Sequence, residues 1–265
     1  MKLTVVGCTG SMSGPYSAAS CYLVQGRGIC PETGEDRVYS VVFDLGPGSF
    51  GQLWRYVDPR KIDAVIFSHL HADHMADVIS LQVYRRWHPE GCLGPVTLGG
   101  PTDLMDRVRG IDGVDQTETY ETEFAPLILA NGESFEIGPL RITPFSGWHT
   151  VESFGFRVEG PSEGDASKRV TLAYTGDTDY CQSMEDMAAG VDLLLSEAGF
   201  TAADKVRGIH LTGARAAELA KNAASQALVL THIQPWTDTE VVLREARQVW
   251  SGPISVAYAG ATYTV

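Results

Sequence analysis

The sequence has few cysteines and no long apolar run, and each absence excludes a class of protein. Its five cysteines lie far apart, at positions 8, 21, 30, 92 and 181, and none forms a Cys-x-x-Cys pair. Because their number is odd, we expect no disulfide framework and a reducing, cytoplasmic location. No stretch of about 18 apolar residues occurs, and the first ten residues read as a strand rather than a signal peptide. We therefore expect no membrane span.

Positive charge is scarce as well. The chain has 20 lysines and arginines against 33 aspartates and glutamates, for a formal net charge of −13. Proteins that bind nucleic acid usually carry a basic stripe, because phosphate neutralisation supplies much of their affinity. Here the basic residues are scattered, with small clusters only at Arg85-Arg86 and Lys168-Arg169. A nucleic-acid partner is disfavoured, whereas a small anionic substrate stays compatible with a metal site, which brings its own positive charge.

Short β-rich runs alternate with amphipathic helical runs along the chain. Strands are predicted at residues 3–6, 21–24, 39–43, 62–67, 96–98, 154–159, 170–174, 191–195, 227–230 and 254–258, and a hairpin at residues 134–143. Helices are predicted at residues 74–87, 102–109, 180–189, 212–224 and 239–250. Two β-rich halves, each followed by helices, predict an α/β fold of two packed sheets with helices outside. Since no linker separates the halves, we predict a single domain over residues 1–265.

Histidine is rare, and its distribution is uneven. Three of the seven histidines lie in the segment Ser68-His69-Leu70-His71-Ala72-Asp73-His74, after an apolar run and at the start of a predicted helix. Residues i and i+2 at a strand end can turn into one site, so His69 and His71 can hold one metal ion. Asp73 and His74 can then serve a second ion, about 3.5–4 Å away. Imidazole and carboxylate suit Zn²⁺, with Mn and Fe as alternatives.

The pattern His-x-His-x-Asp-His after a strand resembles that of the metallo-β-lactamase superfamily, and later motifs follow in the family's order. Asp44 stands where that family has an aspartate that braces the metal loop. His149, Asp177 and His232 stand at its third histidine motif, bridging carboxylate and last histidine. The resemblance spans about residues 3–258 and implies a four-layer αββα sandwich with two mixed sheets. It also implies two divalent ions held by His69, His71, Asp73, His74, His149, Asp177 and His232.

Two further elements resemble the ribonuclease-Z-like phosphodiesterases of this superfamily. They are Ser196-Glu197-Ala198 and His210-Leu211-Thr212. In that branch the glutamate orients the histidine, which protonates the leaving oxygen or contacts the phosphate. The resemblance thus implies a catalytic set of Asp73, His210 and Glu197. It leaves His88 as the only histidine without a role.

The substrate is expected to be small. Ribonuclease Z carries a long tRNA-gripping arm between the third histidine motif and the bridging aspartate, but here 177 − 149 = 28 residues separate them. Segments 84–89, 152–156 and 231–236 are similar to small bacterial proteins of this fold with cyclic-nucleotide phosphodiesterase activity. We therefore expect hydrolysis of a cyclic nucleotide of the 3′,5′-cyclic AMP type by a metal-bridging hydroxide. A ribonuclease Z reaction and a carboxyl-ester or lactone hydrolase are the alternatives.

Two questions stay open at the level of sequence. Trp148 and Trp236 adjoin two of the proposed ligands, and they either stack on a substrate base or belong to the core. The expected partner is a small anionic phosphodiester rather than nucleic acid or a membrane, and a homodimer is compatible with the sequence.

Overall fold

Two mixed β-sheets face each other in a computed structural model that describes residues 1–265. The first sheet contains β1 (Lys2–Thr9), β2 (Ala18–Ala19), β3 (Cys21–Ile29), β4 (Asp36–Phe43), β5 (Ala64–Ile66), β6 (Val96–Gly100), β7 (Phe124–Ile128) and β15 (Thr262–Thr264). The second contains β8 (Phe135–Ile137), β9 (Leu140–Ser146), β10 (Phe154–Pro161), β11 (Arg169–Tyr174), β12 (Leu193–Glu197), β13 (Leu228–Thr231) and β14 (Ile254–Val256). Their strand orders are β15-β1-β3-β4-β5-β6-β7, with β2 beside β1, and β14-β13-β12-β11-β10-β9-β8.

Seven α-helices lie on the outer faces of the two sheets. They are α1 (Ser49–Leu53), α2 (Ala72–Met75), α3 (Val78–Arg86), α4 (Leu104–Asp112), α5 (Gln182–Met187), α6 (Gly213–Asn222) and α7 (Thr239–Val249). Helices α1 to α4 pack on the first sheet, and α5 to α7 pack on the second. A 3-10 turn spans Pro59–Lys61. No helix combines the length and the apolar character needed to cross a membrane.

The core has three apolar layers because side chains alternate between the two faces of each strand. In β4, Val41 and Phe43 point between the sheets, where they join a cluster of 22 buried residues. Val42 points the other way, into a cluster of 19 buried residues shared with helices. A matching cluster of 19 lies beneath α5, α6 and α7. The predicted αββα sandwich is confirmed.

This architecture gathers chemistry-bearing residues at strand ends. The pairs β4–β5, β11–β12 and β12–β13 are parallel, so their carboxyl ends point the same way within each sheet. Asp44 follows β4, the His69–His74 segment follows β5, and Asp177 follows β11. Glu197 ends β12, and His232 follows β13. The fold thus delivers five chain segments to one place.

The prediction of one continuous helix over residues 74–87 is wrong, because the helix is interrupted between α2 and α3. The backbone N–H of Leu45 donates to the carbonyl of His74 at 2.6 Å, and that of Asp77 donates to the carbonyl of Leu45 at 3.1 Å. These bonds replace helical ones and dock the end of α2 onto the loop after β4. Tertiary contacts therefore override a continuous helical periodicity here.

Other differences concern short elements. The sequence analysis missed β2, β7, β15 and α1, which are two to five residues long or lack alternation. The helix predicted from residue 212 begins one residue later, because the Thr212 hydroxyl caps it by accepting from the N–H of Arg215 at 3.2 Å.

Gly46 provides a test of the docking between the β4 loop and the metal-binding segment. A Cβ at residue 46 would lie 2.0 Å from the carbonyl oxygen of Asp73 and 2.7 Å from the Ala19 Cβ. Because backbone cannot yield as a flexible side chain does, Gly46→Ala should lower the free energy of unfolding by about 1–3 kcal/mol. Urea denaturation measures the change.

The matched control is Gly51→Ala in α1, where an added Cβ meets no atom within 4 Å. This control should be neutral or stabilising by roughly 0.5–1 kcal/mol, since alanine favours helix. Equal stabilities for the two variants would show that the loop contact is not tight.

Candidate metal centre

The structure brings together all seven residues predicted as metal ligands. They form two adjoining groups whose ligand atoms lie within 4.8 Å of one another: His69, His71 and His149 in the first, and Asp73, His74, Asp177 and His232 in the second. A third group joins Asp177 to Glu197 and His210. Asp177 is the residue common to the second and third groups, so it lies at the middle of the site.

The first group converges on three ring nitrogens. His71 Nδ1 lies 3.0 Å from His69 Nε2 and 3.2 Å from His149 Nε2. His69 is fully buried, whereas His71 and His149 are partly exposed. Three imidazole nitrogens that face one point cannot all form hydrogen bonds with one another. Together they can provide three of the four ligands of a tetrahedral metal ion.

The second group surrounds Asp177. One carboxylate oxygen, Oδ1, lies 3.2 Å from His74 Nε2, and the other, Oδ2, lies 3.2 Å from His232 Nε2. Asp177 Oδ2 is also 3.8 Å from His69 Nε2 in the first group. Asp73 Oδ2 completes the group at 3.4 Å from His74 Nε2. This placement of Asp177 suits a carboxylate that bridges two ions.

Unpartnered atoms show that the cluster fits a pair of cations. Seven buried side-chain polar atoms in the protein have no hydrogen-bond partner, and three of them are His74 Nε2, Asp177 Oδ1 and His232 Nε2. Their mutual distances are short, but their geometry does not align a hydrogen bond. Since an unsatisfied buried polar group costs about 1–3 kcal/mol, such a concentration calls for a ligand. Imidazoles and carboxylates in this number suit divalent ions.

The outward ring nitrogens are also held, which fixes how each imidazole faces the centre. His69 Nδ1 lies 3.1 Å from Ser68 Oγ, and His232 Nδ1 lies 3.0 Å from Ser20 Oγ. His149 Nδ1 donates to the carbonyl of Ile209 at 2.8 Å. Partners of this kind set the tautomer and ring orientation of metal-binding histidines.

Asp44 orients the imidazole of His74 and also accepts hydrogen bonds from Ser68 and Tyr174. Its Oδ2 accepts hydrogen bonds from His74 Nδ1 at 2.7 Å, Tyr174 Oη at 2.6 Å and Ser68 Oγ at 2.9 Å. Its Oδ1 accepts from the backbone N–H of Ser68 at 2.7 Å. The carboxylate is completely buried. Asp44 therefore braces the histidine segment, in the manner expected from the sequence.

Backbone strain is also found at this site. Asp44 and His232 are two of the five non-glycine residues with φ in the left-handed region, at 58° and 56°. Such conformations cost of order 1–3 kcal/mol and tend to persist where function over-determines them. Both turns swing a side chain from the end of a strand into the cluster.

Burial and neighbouring charges set the protonation of the ligands. Burial lowers the pKa of His69 well below its usual value and also lowers the pKa values of His71 and His232. Burial opposes ionisation of Asp177, but His232 and His74 bring its pKa well below the usual range. Burial likewise opposes charging of His74, but Asp177 and Asp44 raise its pKa well above normal. The lowered pKa values keep three imidazoles neutral and Asp177 ionised, which are the forms that bind metal, whereas His74 would release its proton when an ion binds.

Glu197 and His210 form a pair beside Asp177. Glu197 Oε1 lies 3.0 Å from His210 Nδ1 and accepts from the N–H of Thr178 at 2.9 Å. Burial disfavours the charged form of His210, but Glu197 raises its pKa to about 9. The ring of His210 lies 5.6 Å from that of His149 and 5.3 Å from that of His232, between centroids. The pair predicted from the sequence is therefore at the cluster, outside the seven predicted ligands.

Trp148, Trp236 and His88, which the sequence also singles out, are not among the clustered ligands. Trp148 and Trp236 are 46% and 70% exposed, so neither is a core residue. His88 packs against Tyr84 with ring centroids 5.2 Å apart, on an outer groove.

Sequence reasoning missed the supporting residues Ser20, Tyr174 and Ile209. A single serine, a tyrosine at a strand end and a backbone carbonyl have no motif that would reveal them.

Comparison with known proteins agrees with the family that these motifs suggest. A family model described as a beta-lactamase superfamily domain matches residues 39–233. An uncharacterized protein of Mycobacterium tuberculosis is 37% identical over 268 residues, covering 100% of this chain and 92% of that protein. The probable metallo-hydrolase YhfI of Bacillus subtilis is 30% identical over 264 residues, covering 98% of each chain. Ribonuclease Z of Myxococcus xanthus is 28% identical over 269 residues, covering 84% of this chain and 87% of that one.

Solved structures agree in fold. The crystal structure of YhfI from Bacillus subtilis matches with a TM-score of 0.82 and 28% identity, covering 99% of this chain and 98% of that chain. The short form of human tRNase Z matches at 0.69 with 20% identity, and unliganded yeast PDE1 at 0.70 with 13% identity. Each of these two comparisons covers 100% of this chain and 99% of the other. The last two are so distant in sequence that they show likeness of fold alone.

Metal analysis tests the two ligand groups. Protein loaded with excess Zn²⁺ or Mn²⁺ and then desalted should retain about two ions per chain. His149→Ala should lose one ion preferentially, because only the first group loses a nitrogen. His88→Ala, a histidine removed from the cluster, is the matched control and should retain both ions. Wild-type protein that retains no metal would refute the assignment.

Proposed function

Because the chain belongs to the metallo-β-lactamase superfamily, in its ribonuclease-Z-like branch, and is a metal-dependent hydrolase, we propose that it hydrolyses a small phosphodiester. The proposed substrate is a cyclic nucleotide of the 3′,5′-cyclic AMP type. The observation that carries the proposal is the Glu197–His210 pair beside Asp177, since a phosphodiester with an alkoxide leaving group needs a proton donor there.

The proposed metal ligands are the seven residues of the cluster: His69, His71, Asp73, His74, His149, Asp177 and His232. When bound, two divalent ions would neutralise the phosphoryl charge and supply a nucleophilic water at neutral pH. Zn²⁺ is the proposed metal, because five of the seven ligands are imidazoles and imidazole suits it. Asp73 is the partly exposed carboxylate of the cluster, with 15% of its side chain accessible, and so can accept a proton from an incoming water.

His210 is proposed to protonate the leaving oxygen. Its Nδ1 is occupied by Glu197, which leaves Nε2 as the nitrogen available to a substrate. Glu197 is itself held by the N–H groups of Thr178 and Gly199, both at 2.9 Å, so the pair is rigid. Glu197 is therefore a positioning residue, and His210 is the residue that would touch the substrate.

Charge and loop length support a small substrate rather than tRNA. The turn between β10 and β11 is confined to residues 162–168 and carries two acidic and one basic residue. With a net charge of −13, the chain offers no extended basic surface to a polyanion. The identity of 28% to ribonuclease Z of Myxococcus xanthus nevertheless makes pre-tRNA cleavage the second candidate.

Turnover of three substrates by the metal-loaded protein tests the proposal. We expect hydrolysis of 3′,5′-cyclic AMP and of bis(p-nitrophenyl) phosphate, and little cleavage of a pre-tRNA at ordinary salt. Efficient 3′ processing of the pre-tRNA with no cyclic-nucleotide turnover would replace the proposal by the second candidate. Failure on all three substrates would remove the phosphodiesterase assignment.

His210→Ala in the same assay separates proton donation from other roles. On cyclic AMP it should lower kcat by about 10²–10⁴, the usual worth of general acid catalysis. On bis(p-nitrophenyl) phosphate the loss should be much smaller, because nitrophenolate leaves without protonation. Metal content serves as the control for an intact cluster. Equal losses on both substrates would assign His210 to phosphate binding instead.

A further inference from the structure

A groove of about 630 Å³ opens beside the metal cluster and shares His71 with it. This volume lies in the range that small-molecule sites usually have. Its other walls include Leu70, Asp103, Arg107, Val151 and Glu152. The groove therefore lies next to the proposed reaction centre, but none of these five residues is a proposed metal ligand.

Arg107 lies exposed at this groove without a charged partner. Its Nε donates to the carbonyl of Leu70 at 3.0 Å, and this is the only hydrogen bond that its side chain makes. Leu70 lies between His69 and His71, so the guanidinium is attached to the metal-binding segment itself. Its guanidinium forms no ion pair, although three acidic residues line the same groove: Asp103, Asp106 and Glu152. Arg107 thus keeps its forked pair of terminal nitrogens for a ligand.

The remaining walls complement a neutral, polar ligand with a flat ring. Leu70 and the exposed Val151 offer apolar surface beside Arg107. Asp103 makes no side-chain hydrogen bond, and Glu152 accepts only one, from the N–H of Thr102 at 3.0 Å. These carboxylates can accept hydrogen bonds from hydroxyl groups, and they would repel an additional phosphate.

A nucleoside combines the features that these walls select. Its base is flat, so it can stack on the guanidinium plane and present ring-nitrogen acceptors to the guanidinium N–H groups, and its sugar presents hydroxyl donors to carboxylates. Its phosphate would then point toward His71 and the metal cluster. A longer nucleic acid would bring further phosphates against Asp103 and Glu152, so the groove favours a single nucleoside.

We propose that this groove holds the nucleoside of the substrate and that Arg107 is its specificity-determining residue. The inference rests on the proposed phosphodiesterase function and adds which part of the substrate is recognised, and where. Arg107 contributes to binding rather than to bond cleavage.

Two substrates with the same leaving group test the role of Arg107. Both the p-nitrophenyl ester of adenosine 5′-monophosphate and methyl p-nitrophenyl phosphate release nitrophenolate when water adds to phosphorus and the P–O bond breaks. Arg107→Ala should lower kcat/KM on the nucleoside ester by about 10–100-fold, the usual effect of losing hydrogen bonds to a charged group. It should lower turnover of methyl p-nitrophenyl phosphate much less, because that ester has no nucleoside to bind in the groove, and it should leave the metal content unchanged.

The matched control is Arg55→Ala, which removes an exposed arginine whose side chain hydrogen-bonds only to Gln52 and lies outside the groove. This variant should behave as wild type on both substrates. Arg107→Lys, which keeps the charge but not the fork, should recover only part of the loss. An equal fall on both substrates would mean that Arg107 merely supports the metal segment, and no fall on either would remove it from the site. Both results overturn the inference.

A binding measurement keeps this test separate from the test of function. Calorimetry should show that Arg107→Ala weakens binding of adenosine 5′-monophosphate but not of inorganic phosphate. If wild-type protein hydrolyses neither ester, the phosphodiesterase proposal fails, and the calorimetry still decides whether the groove binds a nucleotide. If hydrolysis occurs but the variant binds both ligands as wild type does, only the groove assignment fails.

Discussion

The buried carboxylate of Asp44 is the interaction on which the geometry of the site depends. It receives hydrogen bonds from the end of β5 through Ser68, from the metal segment through His74 and from the second sheet through Tyr174. A buried charge is tolerable only when it is well paired and hydrogen-bonded, so these donors are obligatory partners. One residue at a left-handed turn therefore locks both sheets and one imidazole into a single arrangement.

The cluster therefore has a buried centre and a partly exposed edge. Asp177, His69 and His232 are buried just after strand ends and His74 is buried in α2, and hydrogen-bond partners hold the three imidazoles in position. His71, Asp73 and His149 are partly exposed and face the side from which a substrate can enter. The groove at Arg107 adjoins this open side through His71. The innermost ligands are thus the most constrained, and the groove proposed for substrate recognition lies next to the outermost ligands.

The histidine motif and the order of the later motifs predicted both the layered fold and the residues that gather at its centre. The carboxyl ends of β4, β5 and β11 were predictable, because an apolar run in the sequence stops shortly before each of Asp44, His69 and Asp177. The break after α2 was not predictable, since it depends on Leu45 taking the carbonyl of His74, a contact between distant segments. The same applies to Ser20 and to the carbonyl of Ile209, which act through tertiary position alone. Arg107 escaped notice because only the fold places it above Leu70.

Anomalous diffraction from crystals of the Zn²⁺-loaded protein is the most direct test of the central claim, that these strand ends build one dinuclear site. We expect two peaks about 3.5–4 Å apart. One should be bounded by His69, His71 and His149, and the other by Asp73, His74 and His232, with the Asp177 carboxylate between them. A single peak, or peaks away from Asp177, would contradict the account.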